Sequence, residues 1–147
     1  MSRSLPSRPI NTAVLMREAF TALNSVVLRR LAAEGHVAVR TAHGAVFQFL
    51  DDDGTTVSTL AERAGVSKQA MADLVVHLES HGYVTRQPDP SDGRAKLVLL
   101  TGRGREIMDI ATETVPAIEK QLADLVGERR LVQLRRDLKT VIDASWQ

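Results

Sequence analysis

The stretch that decides the fold runs from Leu60 to Thr101 and reads "LAERAGVSKQAMADLVVHLESHGYVTRQPDPSDGRAKLVLLT". With the residues just before it, its first half predicts a helix capped by Ser58, a tight turn at Gly65 and a second helix capped by Ser67. The second helix has apolar residues at helical spacing: Ala70, Leu74, Val75 and Leu78. A helix, a short turn and a second helix form the helix-turn-helix arrangement.

The second half of the stretch predicts a β-hairpin. Two strand-like runs, 83–87 and 96–100, flank the turn "PDPSDG", and Gly82 suits the end of the preceding helix. Positive charge gathers here, because residues 83–105 carry five basic side chains against two acidic ones. A polar, protruding hairpin with this charge is suited to a polyanion.

The remainder of the chain predicts helices. The first runs from about Asn11 to Glu34, the next covers 41–50, and the last two cover 101–127 and 128–145. Pro116 should kink or interrupt the third of these, since proline lacks an N–H and crowds the preceding turn. The fold class is therefore α+β and mostly α.

The terminal helices carry more apolar surface than one small core can cover. This excess predicts a homodimer, with the stripes of two chains packed together. The residues concerned are Met16, Phe20, Leu23 and Val27 on the first helix, and Leu131, Leu134, Leu138 and Val141 on the last.

Composition excludes several classes of protein. The 147 residues fit one domain, and the absence of cysteine removes disulfides, thiolate metal sites and thiol redox sensing. The N-terminus has no apolar segment typical of a secretory signal, and no run approaches membrane-spanning length, so a cytoplasmic protein with no membrane partner is expected. Catalytic constellations and phosphate loops are absent from the sequence, which argues against an enzyme.

The helix-turn-helix arrangement predicts binding to double-stranded DNA, with the second helix in the major groove. Gln can bond adenine through two atoms, and Lys can reach guanine or a phosphate. The hairpin would then reach the flanking backbone or minor groove. The candidate DNA-binding residues are Ser67, Lys68, Gln69 and Met71 on the helix, and Arg86, Arg94 and Lys96 on the hairpin.

Asp92 stands inside this basic hairpin and would be repelled by phosphate. We interpret it as an internal partner that either orients Arg94 or caps the turn. The side chain of Arg94 could have two roles, insertion into the minor groove and an ion pair with Asp92, and it could fill both at once.

Residues 56–106 resemble the central region of the MarR family of bacterial transcription regulators. The matching motifs are the D-x-R of the hairpin, the "LT" after it and the "LE…GY" before it: Asp92 and Arg94; Leu100 and Thr101; Leu78, Glu79, Gly82 and Tyr83. The resemblance implies a winged-helix dimer that is joined through its first and last helices and binds a pseudo-palindromic operator. Many relatives are repressors released by small aromatic or phenolic ligands. Many also carry Thr and Arg where this chain has Ala72 and Asp73, so base contacts should rest on Lys68 and Gln69.

These observations divide the chain as one intertwined domain. A flexible tail covers 1–10, helices for dimerisation cover 11–35 and 102–147, and the winged helix-turn-helix covers 36–101. The predicted function is a sequence-specific, dimeric DNA-binding regulator, in particular a repressor released by a small molecule. The alternative is a winged-helix module that binds protein and no operator.

Histidines offer two further hypotheses. His36, Arg40 and His43 could line an effector pocket, or they could be ordinary polar residues at a helix entry. His77 and His81 lie four apart on one helix and could share a metal, but a third ligand would have to come from elsewhere. No metal and no cofactor are predicted.

Overall fold

The computed structural model describes residues 9–147. It is mainly helical, with one small antiparallel sheet. The elements in chain order are α1 (Thr12–Ala33), a 3₁₀ turn (Thr41–His43), α2 (Gly44–Phe49), β1 (Thr55–Thr56), α3 (Val57–Ala64), α4 (Lys68–Ser80), β2 (Val84–Asp89), β3 (Asp92–Leu100), α5 (Gly102–Val126) and α6 (Glu128–Asp143). The predicted α+β, mostly α fold class is confirmed. Most of the predicted tail, 1–8, lies outside the described residues.

Local chemistry explains where the helices begin and end. The side chain of Asn11 accepts hydrogen bonds from the backbone N–H groups of Ala13 and Val14, as expected of the predicted cap. Of the kink or interruption predicted at Pro116, the interruption does not occur, because α5 runs through this residue as one helix. A proline removes one backbone hydrogen bond, and the rest of this 25-residue helix outweighs that loss.

The helix-turn-helix consists of α3 and α4. Gly65 takes the left-handed conformation that the tight turn requires, with φ of 67°. Ser67 Oγ accepts from Ala70 N at 3.0 Å and so caps α4 as predicted. The cap of α3 was predicted wrongly: Thr56, two residues before Ser58, accepts from Thr59 N at 3.2 Å.

The wing consists of β2, β3 and the turn between them. Both strands run further towards the tip than predicted, and the six-residue turn contracts to Pro90 and Ser91. Asp89 makes this possible, because its side chain accepts from both the N–H and the hydroxyl of Ser91. The two-residue strand β1 was not predicted; it pairs with β3 at Leu97 and Val98 and ties the wing to the start of α3.

A single core joins the elements. Its fully buried side chains include Leu60, Met71, Val75, Leu78, Tyr83 and Val98. Tyr83 lies where α4, the wing and α5 meet. Its hydroxyl bonds His36 Nδ1 at 2.9 Å and accepts from Arg103, whose guanidinium also lies 4.7 Å from the ring centroid. This one hydroxyl therefore links three segments that are far apart in the sequence.

Large apolar side chains remain exposed on the terminal helices. Phe20 on α1 is 58% exposed, and Leu125 near the end of α5 is 82% exposed. Of the apolar residues predicted on the last helix, Leu131 is buried and Leu134 is exposed. Among residues 9–147, no helix is both long and apolar enough to cross a membrane.

Candidate nucleic-acid interface

The start of α4 presents polar side chains to solvent. Ser67, Lys68 and Gln69 are all exposed, as a recognition helix requires. Met71 was predicted to face DNA and does not, because its side chain is fully buried in the core. The helix turns 100° per residue, so two positions after an outward Gln69 the side chain points inward.

Lys68 and the basic residues of the wing face one cleft. The cleft has a volume of about 310 Å³. Its lining comes from α3, α4 and the wing: Thr56, Val57, Ser58, Lys68, Arg86, Asp92, Arg94, Ala95 and Lys96. The structure thus brings together four of the predicted DNA-binding residues across 29 positions of sequence. Four cations around one concave surface concentrate positive potential there.

Arg86 is not a free cation. Its Nε and Nη2 donate to the two carboxylate oxygens of Glu79 at 3.0 and 2.9 Å, a two-point contact between β2 and α4. The hydrogen bonds from Arg86 lower the pKa of Glu79, and the same carboxylate raises the pKa of Arg86. Any contact of Arg86 with DNA would therefore share this guanidinium with Glu79.

Asp92 bonds the backbone of Arg94 and not its guanidinium. Its Oδ1 accepts from Arg94 N at 3.1 Å, which favours the predicted turn-capping role over side-chain orientation. Among residues 9–147, the guanidinium of Arg94 makes no ion pair. The proposed alternative of an Asp92–Arg94 ion pair is thus not formed, and the Arg94 side chain is available to a ligand.

A second, larger cavity lies behind the recognition helix. Its volume is about 760 Å³ and its wall is mainly apolar. α1 contributes Phe20 and Val27, α4 contributes Leu74, and α5 contributes Met108 and Val115. The polar groups on the wall include Asn24, Arg40, Thr41, Gln48 and Thr112. An apolar cavity with a few polar groups is the usual form of a small-molecule site.

Of the three residues predicted for an effector pocket, only Arg40 lines this cavity. His36 is buried against Tyr83 instead. His43 is buried with its Nδ1 accepting from Arg40 N at 2.8 Å, and its ring stacks on His77 at 4.4 Å. Burial, followed by the nearby His77, Arg40 and His81, lowers the pKa of His43 to about 4. Both histidines are therefore packed in the interior beside the cavity, and neither of them lines its wall.

The pair His77 and His81 is engaged with backbone carbonyls. His77 Nε2 donates to Ala38 O, and His81 Nδ1 donates to His77 O, each at 2.9 Å. Each of these ring nitrogens carries its proton, so only His77 Nδ1 and His81 Nε2 would be left to bind a metal. Within the part of the chain that the structure describes, no three metal-ligating side chains converge.

Sequence reasoning missed the partner of Arg86 and two residues that line the basic cleft. Glu79 was noted only as part of a motif, and its pairing with Arg86 depends on how β2 crosses α4. Ser58 was predicted only as a helix cap and Thr56 was not singled out; the β1–β3 pairing brings both beside the wing. The sequence contains no periodic pattern that predicts the Glu79–Arg86 pair or the position of Thr56 and Ser58 beside the wing.

Comparison with known proteins agrees with this geometry. Residues 40–95 match the sequence profile described as the MarR family. The transcriptional regulator HosA of Escherichia coli O157:H7 is 30% identical over 91 residues, which span 60% of this chain and 67% of HosA. The transcriptional activatory protein BadR of Rhodopseudomonas palustris is 29% identical over 107 residues, 72% of this chain and 60% of BadR.

Solved structures share the fold. CouR from Rhodococcus jostii RHA1 bound to p-coumaroyl-CoA has a TM-score of 0.68 and 24% identity, over 93% of this chain and 95% of that one. The transcriptional repressor CouR bound to a 23-mer DNA duplex has a TM-score of 0.71 and 24% identity, over 87% of this chain and 89% of that one. Family and fold are those of transcriptional regulators and not of enzymes. The chain belongs to the MarR family of winged-helix, DNA-binding transcriptional regulators.

Proposed function

We propose that this protein is a homodimeric repressor that binds a pseudo-palindromic operator and is released by a small molecule. The observation that carries the proposal is the basic cleft between the start of α4 and the wing. Lys68 lies at the recognition helix, and Arg94 and Lys96 lie on the wing, so one duplex could meet all three. Phosphate contacts of this kind position a protein on DNA, and base contacts from the helix then give specificity.

The base contacts would come from Gln69 and Lys68. Both side chains are exposed at the first turn of α4, where a recognition helix approaches base edges. Ser67 and the free N–H groups of that turn would hold a phosphate. Arg94 would enter the minor groove, where a narrow groove concentrates negative potential.

Dimerisation would use the exposed apolar faces of the terminal helices. Phe20 on α1 and Leu134 on α6 are solvent-exposed in the single chain, which is costly unless a partner covers them. A second copy of the chain, related by two-fold symmetry, would bury both of these apolar faces. The symmetry then places two recognition helices about one DNA turn, roughly 34 Å, apart.

Release by a ligand would act through the larger cavity. Its wall combines α4, which carries the proposed base contacts, with α5 and with α1, which carries part of the proposed dimer interface. A ligand that fits the cavity in only one arrangement of these helices would shift the population towards that arrangement. CouR, which shares the fold, is bound to p-coumaroyl-CoA in its solved structure. A small aromatic or phenolic ligand suits the apolar wall here, with Arg40 available to a negative group.

The test combines a binding assay and a reporter. DNA duplexes from the region that flanks the gene of this protein are titrated with wild-type protein and with the Lys68→Ala and Arg94→Ala variants. Each variant removes one positive charge from the cleft. Tight binding that both variants weaken supports the proposal, and binding of no duplex supports the alternative, a protein-interaction module. A reporter that rises when the gene is deleted identifies a repressor, and one that falls identifies an activator, the role named for BadR. Binding to chromosomal DNA would place the protein in the cytoplasm.

A further inference from the structure

The outward face of α4 carries an acidic residue, Asp73, one helical turn after Gln69. Gln69, Asp73, Val76 and Ser80 are all exposed and follow one another at spacings of four, three and four. The opposite face, with Met71, Val75 and Leu78, is fully buried. The exposed stripe therefore runs along the side of this helix that points away from the core, beginning beside Lys68.

Asp73 is joined to the proposed base-reading residue. Gln69 Nε2 donates to Asp73 Oδ1 at 2.9 Å. No cation pairs with Asp73 among the residues that the structure describes. Its second oxygen, Oδ2, makes no hydrogen bond within residues 9–147, and the carboxylate keeps most of its capacity to accept. An unpaired carboxylate on this face repels phosphates, so its presence needs a compensating contact.

The major groove supplies one such contact. Cytosine N4 and adenine N6 are the amino donors of the major groove, but the N7 acceptor beside adenine N6 would repel a carboxylate, so cytosine N4 suits Asp73 better; no phosphate offers a donor. Gln69 retains its carbonyl oxygen and one N–H, which are the acceptor and donor needed for adenine. One turn of helix separates the two side chains, so they can address neighbouring base pairs.

We propose that Asp73 is a specificity-determining residue that accepts a hydrogen bond from cytosine N4 in each operator half-site, and that it fixes the Gln69 amide beside it. This inference rests on the proposed operator binding. Asp73 would then contribute to specificity in two ways. Its carboxylate is attracted to the cytosine amino group, and at a site without that group it is left unpaired beside the phosphates, which repel it.

The chain contains a matched control. On α6, Gln133 Nε2 donates to Asp137 Oδ1 at 2.9 Å, the same pair of residue types at the same spacing. Asp137→Asn removes the same charge and alters the same kind of local bond as Asp73→Asn, but on α6, which does not line the basic cleft. Because α6 also carries part of the proposed dimer interface, sedimentation of both variants must first match that of the wild type. Both aspartates are exposed, so neither substitution disturbs the core.

The experiment selects bound duplexes from a random library with full-length wild type, Asp73→Asn and Asp137→Asn, and then measures Kd for every single-base variant of the selected site. Wild type should prefer C at one symmetric position. Asp73→Asn should lose about tenfold of that preference while binding non-specific DNA more tightly, and Asp137→Asn should match wild type. Equal tightening of Asp73→Asn on every sequence, with an unchanged base profile, would overturn the inference and leave the proposed function intact. A wild type without any sequence preference would overturn the proposed function itself.

Discussion

Replacing Gly104 by alanine should destabilise the protein, although alanine favours helices. Gly104 lies in the first turn of α5, beneath the carbonyl of Tyr83. A Cβ built there overlaps Tyr83 O and comes within 2.9 Å of Leu100 Cδ2. The Tyr83 carbonyl cannot move freely, since it accepts from Thr101 N at 3.1 Å.

The magnitude follows from three contributions to the free energy of unfolding. Alanine gains at most about 1 kcal/mol from helix propensity. Overpacking costs about 1–3 kcal/mol, and loss of the Thr101–Tyr83 hydrogen bond costs about 1 kcal/mol more. The net loss should be about 1–3 kcal/mol. With a urea m-value of about 2 kcal/mol per M, the midpoint should fall by roughly 1 M.

Gly102→Ala is the control, because it lies in the same turn and its added Cβ would meet only Arg105 Nη2 at 3.9 Å. Urea unfolding of wild type and both variants is followed by far-ultraviolet circular dichroism at one fixed protein concentration, since a dimer would make stability depend on concentration. Gly102→Ala should equal or exceed wild type. A Gly104→Ala midpoint at or above that of Gly102→Ala, with equal m-values, would refute the close approach of α5 to the wing.

Three further outcomes are expected. Arg94→Ala should weaken binding to all duplexes alike and lower the slope of log affinity against log salt by about one for each half-site; a changed base preference with retained affinity would contradict its role in the wing. Glu79→Gln should cost about 0.5–1 kcal/mol of unfolding free energy and speed amide hydrogen exchange in β2, because Arg86 loses its two-point partner; unchanged exchange would show that this pair does not hold the wing. Stability should fall as pH drops from about 6.5 to about 4, since the unfolded chain then binds a proton that buried His43 resists. His43→Asn keeps an acceptor for the Arg40 N–H and should flatten that part of the stability profile measured by urea unfolding; an unaltered profile would mean that another group titrates.

Much of the fold could be predicted because its signals are local. Asn11 and Ser67 cap helices through bonds to residues two or three positions away, and Gly65 allows a turn by its own backbone freedom. Such contacts depend on neighbours in the sequence, so the sequence displays them. The ends of α1, α4 and α5 were accordingly placed within one or two residues.

What escaped prediction depends on tertiary structure. Thr56 displaced Ser58 as a cap because β1 pairs with β3, and a two-residue strand leaves no periodic pattern. Met71 points inward because of how α4 is rotated about its axis relative to the core, and the residue type alone does not show this rotation. The separation of His43 from the cavity wall likewise depends on how three segments pack. The sequence assigned the candidate site to α4 and the wing, but which of their residues face the cleft depends on packing that the sequence does not display.

The burial of Tyr83 has a practical consequence for spectroscopy. The chain contains one tyrosine and one tryptophan. Tyr83 is fully buried where the wing meets α5, whereas Trp146 is 76% exposed just beyond α6, with its Nε1 donating to Val141 O at 2.9 Å. Ultraviolet signals from the two ring types therefore originate in separate parts of the molecule. The near-ultraviolet dichroism of the tyrosine follows the loosening of the winged helix, and tryptophan emission follows the end of the last helix, so the native chain carries two optical labels without any substitution.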